Sequence, residues 1–141
     1  MKIKFLVDSY QSSIDSFCSL RIFENDQEKY FVKECVHKDL EFEFDINTNS
    51  TIDFVVSNKD PQHTIVKDKT IVKDTYLHIK KIFIGEYDVL PKVNLFSNYF
   101  TKDYGVLHTN GFMNYNGTYR FKFRYPLSNH ILLCRYYEPK A

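Results

Sequence analysis

Single alternation of apolar and polar residues recurs along this chain, most cleanly near its end. Tyr119, Phe121, Phe123 and Tyr125 alternate there with Arg120, Lys122 and Arg124. In an extended chain successive side chains point to opposite faces, so this run has one aromatic face and one cationic face. A helix would scatter the rings around its axis. Asn116-Gly117 opens the run as a turn, and Pro126 closes it by removing a ladder donor. The prediction is a half-buried strand.

The same period appears elsewhere. Ile3, Phe5 and Val7 mark a first strand, and a second is predicted from Phe17 to Phe23, ended by a turn at Glu24-Asn25-Asp26-Gln27. Lys29 to Val36 is ambiguous. Phe31/Cys35 and Val32/Val36 have helical spacing, but Tyr30-Phe31-Val32 and the neighbouring strands favour a hairpin. Glu41 to Ile46 alternates, Asn47 to Ser50 turns the chain, and Ile52, Phe54 and Val56 begin the return.

Past the Asn58–Pro61 loop, Thr64-Ile65-Val66-Lys67-Asp68 is echoed by Thr70-Ile71-Val72-Lys73-Asp74. Two copies make no solenoid, and two short strands around a tight bend explain them. Tyr76 to Ile84 reads as a long strand whose alternation slips at Lys80-Lys81, which predicts a bulge before Gly85 ends it. Glu86 to Tyr115 has no sustained period, and Leu127 to Tyr137 fits a short helix or a last strand. The expectation is one all-β domain over residues 1–141, an antiparallel β-sandwich or jelly roll with at most one or two short helices. A closed barrel is the alternative.

Composition supports sheet. The 141 residues include 13 Phe and 11 Tyr against only 4 Gly, and aromatics suit a pleated surface. A chain of this length buries enough of itself to fold without metal or disulfide. Net charge is +1, so there is no global field for gripping a polyanion, and nucleic acid is not an expected partner. Cys18, Cys35 and Cys134 are an odd number at no motif spacing. The N-terminal residues form no apolar core of signal-peptide length and no run approaches a membrane span, so the cysteines are expected to be reduced, buried and small. Neither membrane nor cofactor is expected.

Several stretches together carry a likeness. They are Leu40-Glu41-Phe42-Glu43-Phe44-Asp45, Ser57-Asn58-Lys59, Thr64-Ile65-Val66, and Ile71-Val72-Lys73-Asp74 leading to Ile79-Lys80-Lys81-Ile82-Phe83-Ile84. Tyr115 to Phe123, Pro126-Leu127 and Ile131-Leu132-Leu133 continue it. The chain resembles a family of small tailed-phage proteins, myovirus and cyanophage among them, that look like carbohydrate-binding-module β-sandwiches. The likeness spans roughly residues 40 to 133 as a pattern, with Tyr119 where the family usually has Trp. It implies a viral origin, synthesis in a host cytoplasm and a virion or virion-associated role on a lectin-like scaffold. It supplies no functional residues.

Candidate chemistry comes last. Asp45, Asn47 and Asn49 have the spacing of calcium-loop ligands, but Ser50 and Val56 stand where an EF-hand needs Gly and Glu, and a polar hairpin turn is the simpler explanation. None of the five histidines sits with Cys or carboxylate at metal-ligand spacing, and Cys134 with His130 or His108 is a conceivable thiolate–imidazole pair. Glu34, Glu41 and Glu43 are carboxylates that could flank a glycosidic bond, although on an alternating strand Glu41 and Glu43 are more simply the solvated face. Arg120, Lys122 and Arg124 form a basic row that reads as a solvated outer face, since its strand puts rings on the other side. Seven aromatics crowd the aperiodic segment: Tyr87, Phe96, Tyr99, Phe100, Tyr104, Phe112 and Tyr115. Rings bury much area at small entropic cost, so those not taken by the core form the candidate contact patch. The expected function is a non-enzymatic, virion-associated module that meets other virion proteins, itself or a surface glycan through that patch. The alternatives are a small glycan-processing enzyme and a single-stranded nucleic-acid-binding barrel.

Overall fold

The structure is a computed structural model, and it describes residues 2–11, 18–35, 40–57, 65–67, 70–73, 75–90 and 97–125. The chain order is β1 (Lys2–Gln11), β2 (Ser19–Glu24), β3 (Gln27–Val32), β4 (Leu40–Asp45), β5 (Ser50–Ser57), β6 (Ile65–Lys67) and β7 (Thr70–Lys73). It continues through β8 (Thr75–Ile84), β9 (Tyr87–Asp88), β10 (Ser97–Thr101), β11 (Gly105–Leu107), β12 (Phe112–Met113) and β13 (Gly117–Phe123). Every described element is a strand.

Two antiparallel sheets pack face to face. The first runs β12-β8-β1-β4, with β9 also paired to β8; the second runs β11-β10-β13-β5-β2-β3. The protein is an all-β sandwich, two layers and no closed ring among the described residues. The tandem echo becomes β6 and β7, antiparallel to each other in a two-stranded sheet of their own.

Alternation decides which residues enter the core. Ile3, Phe5 and Val7 of β1 are wholly buried, as are Ile52 and Phe54 of β5 and Leu20 and Ile22 of β2. Phe5 is the hub between the layers. Its ring centroid lies 4.9 Å from Phe54 and 5.5 Å from Phe121, both in the opposite sheet, and 5.7 Å from Phe44 beside it. On β13 the rings of Tyr119, Phe121 and Phe123 stack along one face, 5.0 and 6.2 Å apart. The predicted aromatic face is therefore the inner one. Tyr125 does not belong to it: β13 ends at Phe123, and Tyr125 is 53% exposed.

The ambiguous Lys29 segment is the return arm of a hairpin. Asn25 and Asp26 turn it with φ of 50° and 66°, the left-handed pair of a type I′ turn. Asn25 closes a reciprocal pair with Thr51, each amide donating to an oxygen of the other at 2.9 Å. Tyr30 then crosses from β3 to β4. Its hydroxyl donates to the Glu43 carbonyl at 2.9 Å, and its ring meets Phe42 and Phe44 at 5.1 and 5.6 Å, closing that side of the sandwich.

The expected slip in β8 is present. Pairing with β1 passes from Leu6↔Lys81 to Val7↔Ile79, leaving Lys80 as the extra residue of a bulge. Leu77, Ile79 and Ile82 consequently all face inward. Gly117 differs from expectation. It lies in the ladder without positive φ, and glycine is needed because a Cβ would stand 2.3 Å from the Phe100 carbonyl oxygen.

Two buried phenols order the aperiodic segment. Tyr119 Oη accepts from the Gly111 amide at 3.0 Å, and Tyr99 Oη accepts from the Tyr115 amide at 2.9 Å while donating to the Tyr115 carbonyl. Gly111 is held at φ +91°, and a Cβ there would stand 2.3 Å from the Ile79 carbonyl oxygen. Cys18 and Cys35 are buried free thiols; burial first, then the neighbouring Cys18, pushes Cys35 up to about 12, so it is protonated and unreactive.

Phe5→Ala is expected to cost about 3–5 kcal/mol, the range for truncating a core phenylalanine, read as a lower midpoint in urea unfolding. Tyr119→Phe keeps the ring but orphans the buried Gly111 amide. It should cost about 1–3 kcal/mol, and amide exchange at Gly111 should quicken more than global stability explains.

Candidate functional site

The predicted patch residues are dispersed by the fold. Tyr99 is fully buried and stacks on Tyr119 at 5.4 Å, so it belongs to the core. Tyr87, 79% exposed, lies on the short β9 of the first sheet. Tyr104 and Tyr115 pair with each other at 4.4 Å. Phe112 stacks on His78 at 3.9 Å on the outer face of the first sheet, whereas Phe100 stands on the outer face of the second. Phe96 lies outside the described residues. Sequence spacing had grouped side chains that strand crossings separate.

Cross-strand register assembles a different surface. On the outer face of the second sheet one row crosses all six strands: Val106, Phe100, Thr118, Val55, Arg21 and Phe31. Beside it runs a second row, Asn98, Arg120, Asp53, Phe23 and Glu28. Val106, Phe31 and Phe100 are 54%, 49% and 39% exposed. Phe31, Phe23 and Val55 escaped the sequence reading because each belongs to a different strand. Only pairing registers put them in line with Phe100.

The two arginines of these rows are matched within the face. Arg120 donates to both carboxylate oxygens of Asp53, Nε at 2.8 Å and Nη2 at 3.1 Å, and that hydrogen bond raises its pKa above the usual guanidinium value. Arg21 donates to Glu28 at 2.6 Å. Both guanidiniums also cover rings: Arg21 lies 4.0 Å from the Phe31 centroid and Arg120 lies 5.4 Å from that of Phe100. The basic row is thus not one solvated stripe. Arg120 is paired and partly buried, while Lys122 and Arg124 are exposed. Rings and cations do share a face, because Phe100 and Phe31 arrive from neighbouring strands. Arg120 and Lys122 border an open depression of about 330 Å³ with Asn25, Asp26 and Thr51.

The first sheet carries a smaller ring cluster on its own outer face. Tyr10 stacks on Tyr76 at 4.9 Å, Tyr76 meets Phe112 edge-on at 5.9 Å, and Phe112 lies parallel to His78. Asp8 and Lys80 pair beside them at 3.3 Å. Burial lowers the His78 pKa; Asp8 and a hydrogen bond with the Asn110 backbone oppose this, and Lys80 adds to it.

The other candidates are resolved individually. Asn49 Oδ1 accepts from the Tyr125 amide at 2.8 Å, tying the β4–β5 turn to the end of β13, while Asp45 and Asn47 are exposed. Among the described residues no three His, Cys, Asp or Glu side chains group as a metal site. Glu41 and Glu43 lie on the exposed face of β4, with Lys4 Nζ at 3.8 and 3.7 Å from them, and Glu34 is exposed. His108 is exposed; Cys134 and His130 lie outside the described residues. Compared with known proteins, the chain matches no protein-family model, no curated protein and no solved structure.

The His78 shift gives stability a pH dependence of defined sign. The folded ring takes up its proton at lower pH than the unfolded one, so between its lowered folded value and about 6.5 the unfolded state binds more protons and stability rises with pH. Below that window the contribution is lost; above it the contribution is complete. Melting temperatures across this range should show a step that His78→Phe removes.

Proposed function

We propose that this chain is a non-catalytic β-sandwich module that binds a protein partner through the outer face of its second sheet. The observation that carries this reading is the row from Val106 to Phe31, in which Val106, Phe100 and Phe31 are exposed apolar side chains while the arginines in and beside it are already neutralised by Glu28 and Asp53. A charge covered by a partner is costly unless it has an opposite charge beside it. Here the opposite charges come from the same chain, so a neutral protein surface can cover these two rows without stranding either arginine. The arrangement weighs against phosphate binding, because Arg21 and Arg120 are engaged. It also weighs against sugar stacking here, because guanidiniums occupy the Phe31 and Phe100 rings. From the tailed-phage resemblance, the partner is a virion protein and the chain is carried on the particle.

A second reading, a surface glycan, is favoured by one observation on the opposite face. Tyr10 and Phe112 leave ring surface open beside the Asp8–Lys80 pair, apolar and polar groups side by side as a sugar requires.

Mass spectrometry of purified particles tests the leading reading: the chain should be present at stoichiometric abundance, and its absence rejects a virion role. Val55→Glu places mid-face, opposite Arg21, a carboxylate in excess of the two that already match the arginines. It should lower incorporation about a hundredfold, the effect of a few kcal/mol, with the melting temperature unchanged; normal incorporation rejects this face. On a glycan array, binding abolished by Tyr10→Ala would move recognition to the opposite sheet.

A further inference from the structure

We infer that the outer face of the second sheet is self-complementary and takes a second copy of this chain, an inference that rests on the protein-partner reading and names the partner. Its ground is the order of residues across the strands. The six strands run β11, β10, β13, β5, β2, β3, so a two-fold axis lying in the interface, parallel to the strands and between β13 and β5, sets each strand opposite a determined partner. It matches β11 with β3, β10 with β2, and β13 with β5.

Most of the facing residues agree in chemistry, those nearest the axis best. In the first row Val106 meets Phe31 of the second copy, Phe100 meets Arg21, and Thr118 meets Val55. The first pairing is apolar on apolar, the second sets the Glu28-paired Arg21 against the ring that Arg120 covers, and the third brings two β-branched side chains together nearest the axis. In the second row Arg120 meets Asp53 of the second copy, and Asn98 meets Phe23. Because Arg120 already holds its own Asp53, the axis passes through a ring of two arginines and two aspartates with no charge left over. A two-fold about the other in-plane direction would set each strand on its own copy and lose the Arg120–Asp53 match.

Size and charge are compatible. Six strands at about 4.8 Å spacing and about six residues long present roughly 600 Å² in projection, three quarters of the about 800 Å² per partner of a standard interface. Aligned packing of two such faces is how sheets commonly meet. With net charge +1, two copies repel only weakly.

The test uses the full chain with Cys134→Ser. Sedimentation velocity over a hundredfold concentration range should show a species at twice the 16.9 kDa chain mass, and Val55→Glu should raise the dimer dissociation constant at least tenfold while circular dichroism stays unchanged. Phe31→Cys and Val106→Cys provide a geometric check, since these positions sit on opposite edge strands of one sheet. A short bismaleimide should cross-link a mixture of the two single variants and neither variant alone. A wild-type chain monomeric at every concentration overturns the inference, as does a dimer whose mixed cysteine variants fail to link. A monomer that Val55→Glu nonetheless excludes from particles overturns the second copy and leaves the face and its protein partner standing.

Discussion

One ring lies at the centre of the contact between the two layers. Phe5 projects from the middle strand of the first sheet into a pocket of rings from the second, Phe54, Phe121 and Phe123, and is wholly buried there. Each sheet has one apolar face that only the other can cover, so interlayer packing, more than any single ladder, makes the fold independent. Phe5 sits where a shift of one residue in β1 would turn Ile3, Phe5 and Val7 towards solvent together. The register of β1 against both β4 and β8 is therefore held by this interior set as much as by backbone bonds.

Once the interior is filled with phenylalanine, tyrosine takes a separate task. Tyr99 and Tyr119 lie in the same stack as Phe121, and each extends a hydroxyl past the apolar layer to the backbone of the connection between β11 and β13. Phenylalanine could supply the packing but not these bonds. The rings sit in the core while their hydroxyls fasten the chain around it, so Gly111 keeps its left-handed geometry next to Ile79.

How far the sequence could be read follows from these two kinds of contact. Where a strand has one wet face, as in β1, β4, β5 and β13, single alternation announced both the element and its inward residues. The Lys80 bulge was legible for the same reason, as a break in a period. Glu86 to Tyr115 was opaque because β9, β11 and β12 are two or three residues long, too short for any period, and because side-chain hydroxyls distant in sequence order part of it. The outer face of the second sheet was illegible in another way. Val106, Phe100, Val55 and Phe31 form a row only after six strands have been set in register, and a strand read alone shows one residue of that row. Reading β13 alone likewise placed cations without rings, although Phe100 stands beside Arg120.

The bulge in β8 has an evolutionary corollary. Because Lys80 has no residue opposite it in β1, losing one codon there would restore an uninterrupted ladder with Leu77, Ile79 and Ile82 still pointing to the interior. Losing a second would invert everything upstream of the gap, sending Tyr76 and His78 inward. Length variation within this strand is thus tolerated in one step and forbidden in the next.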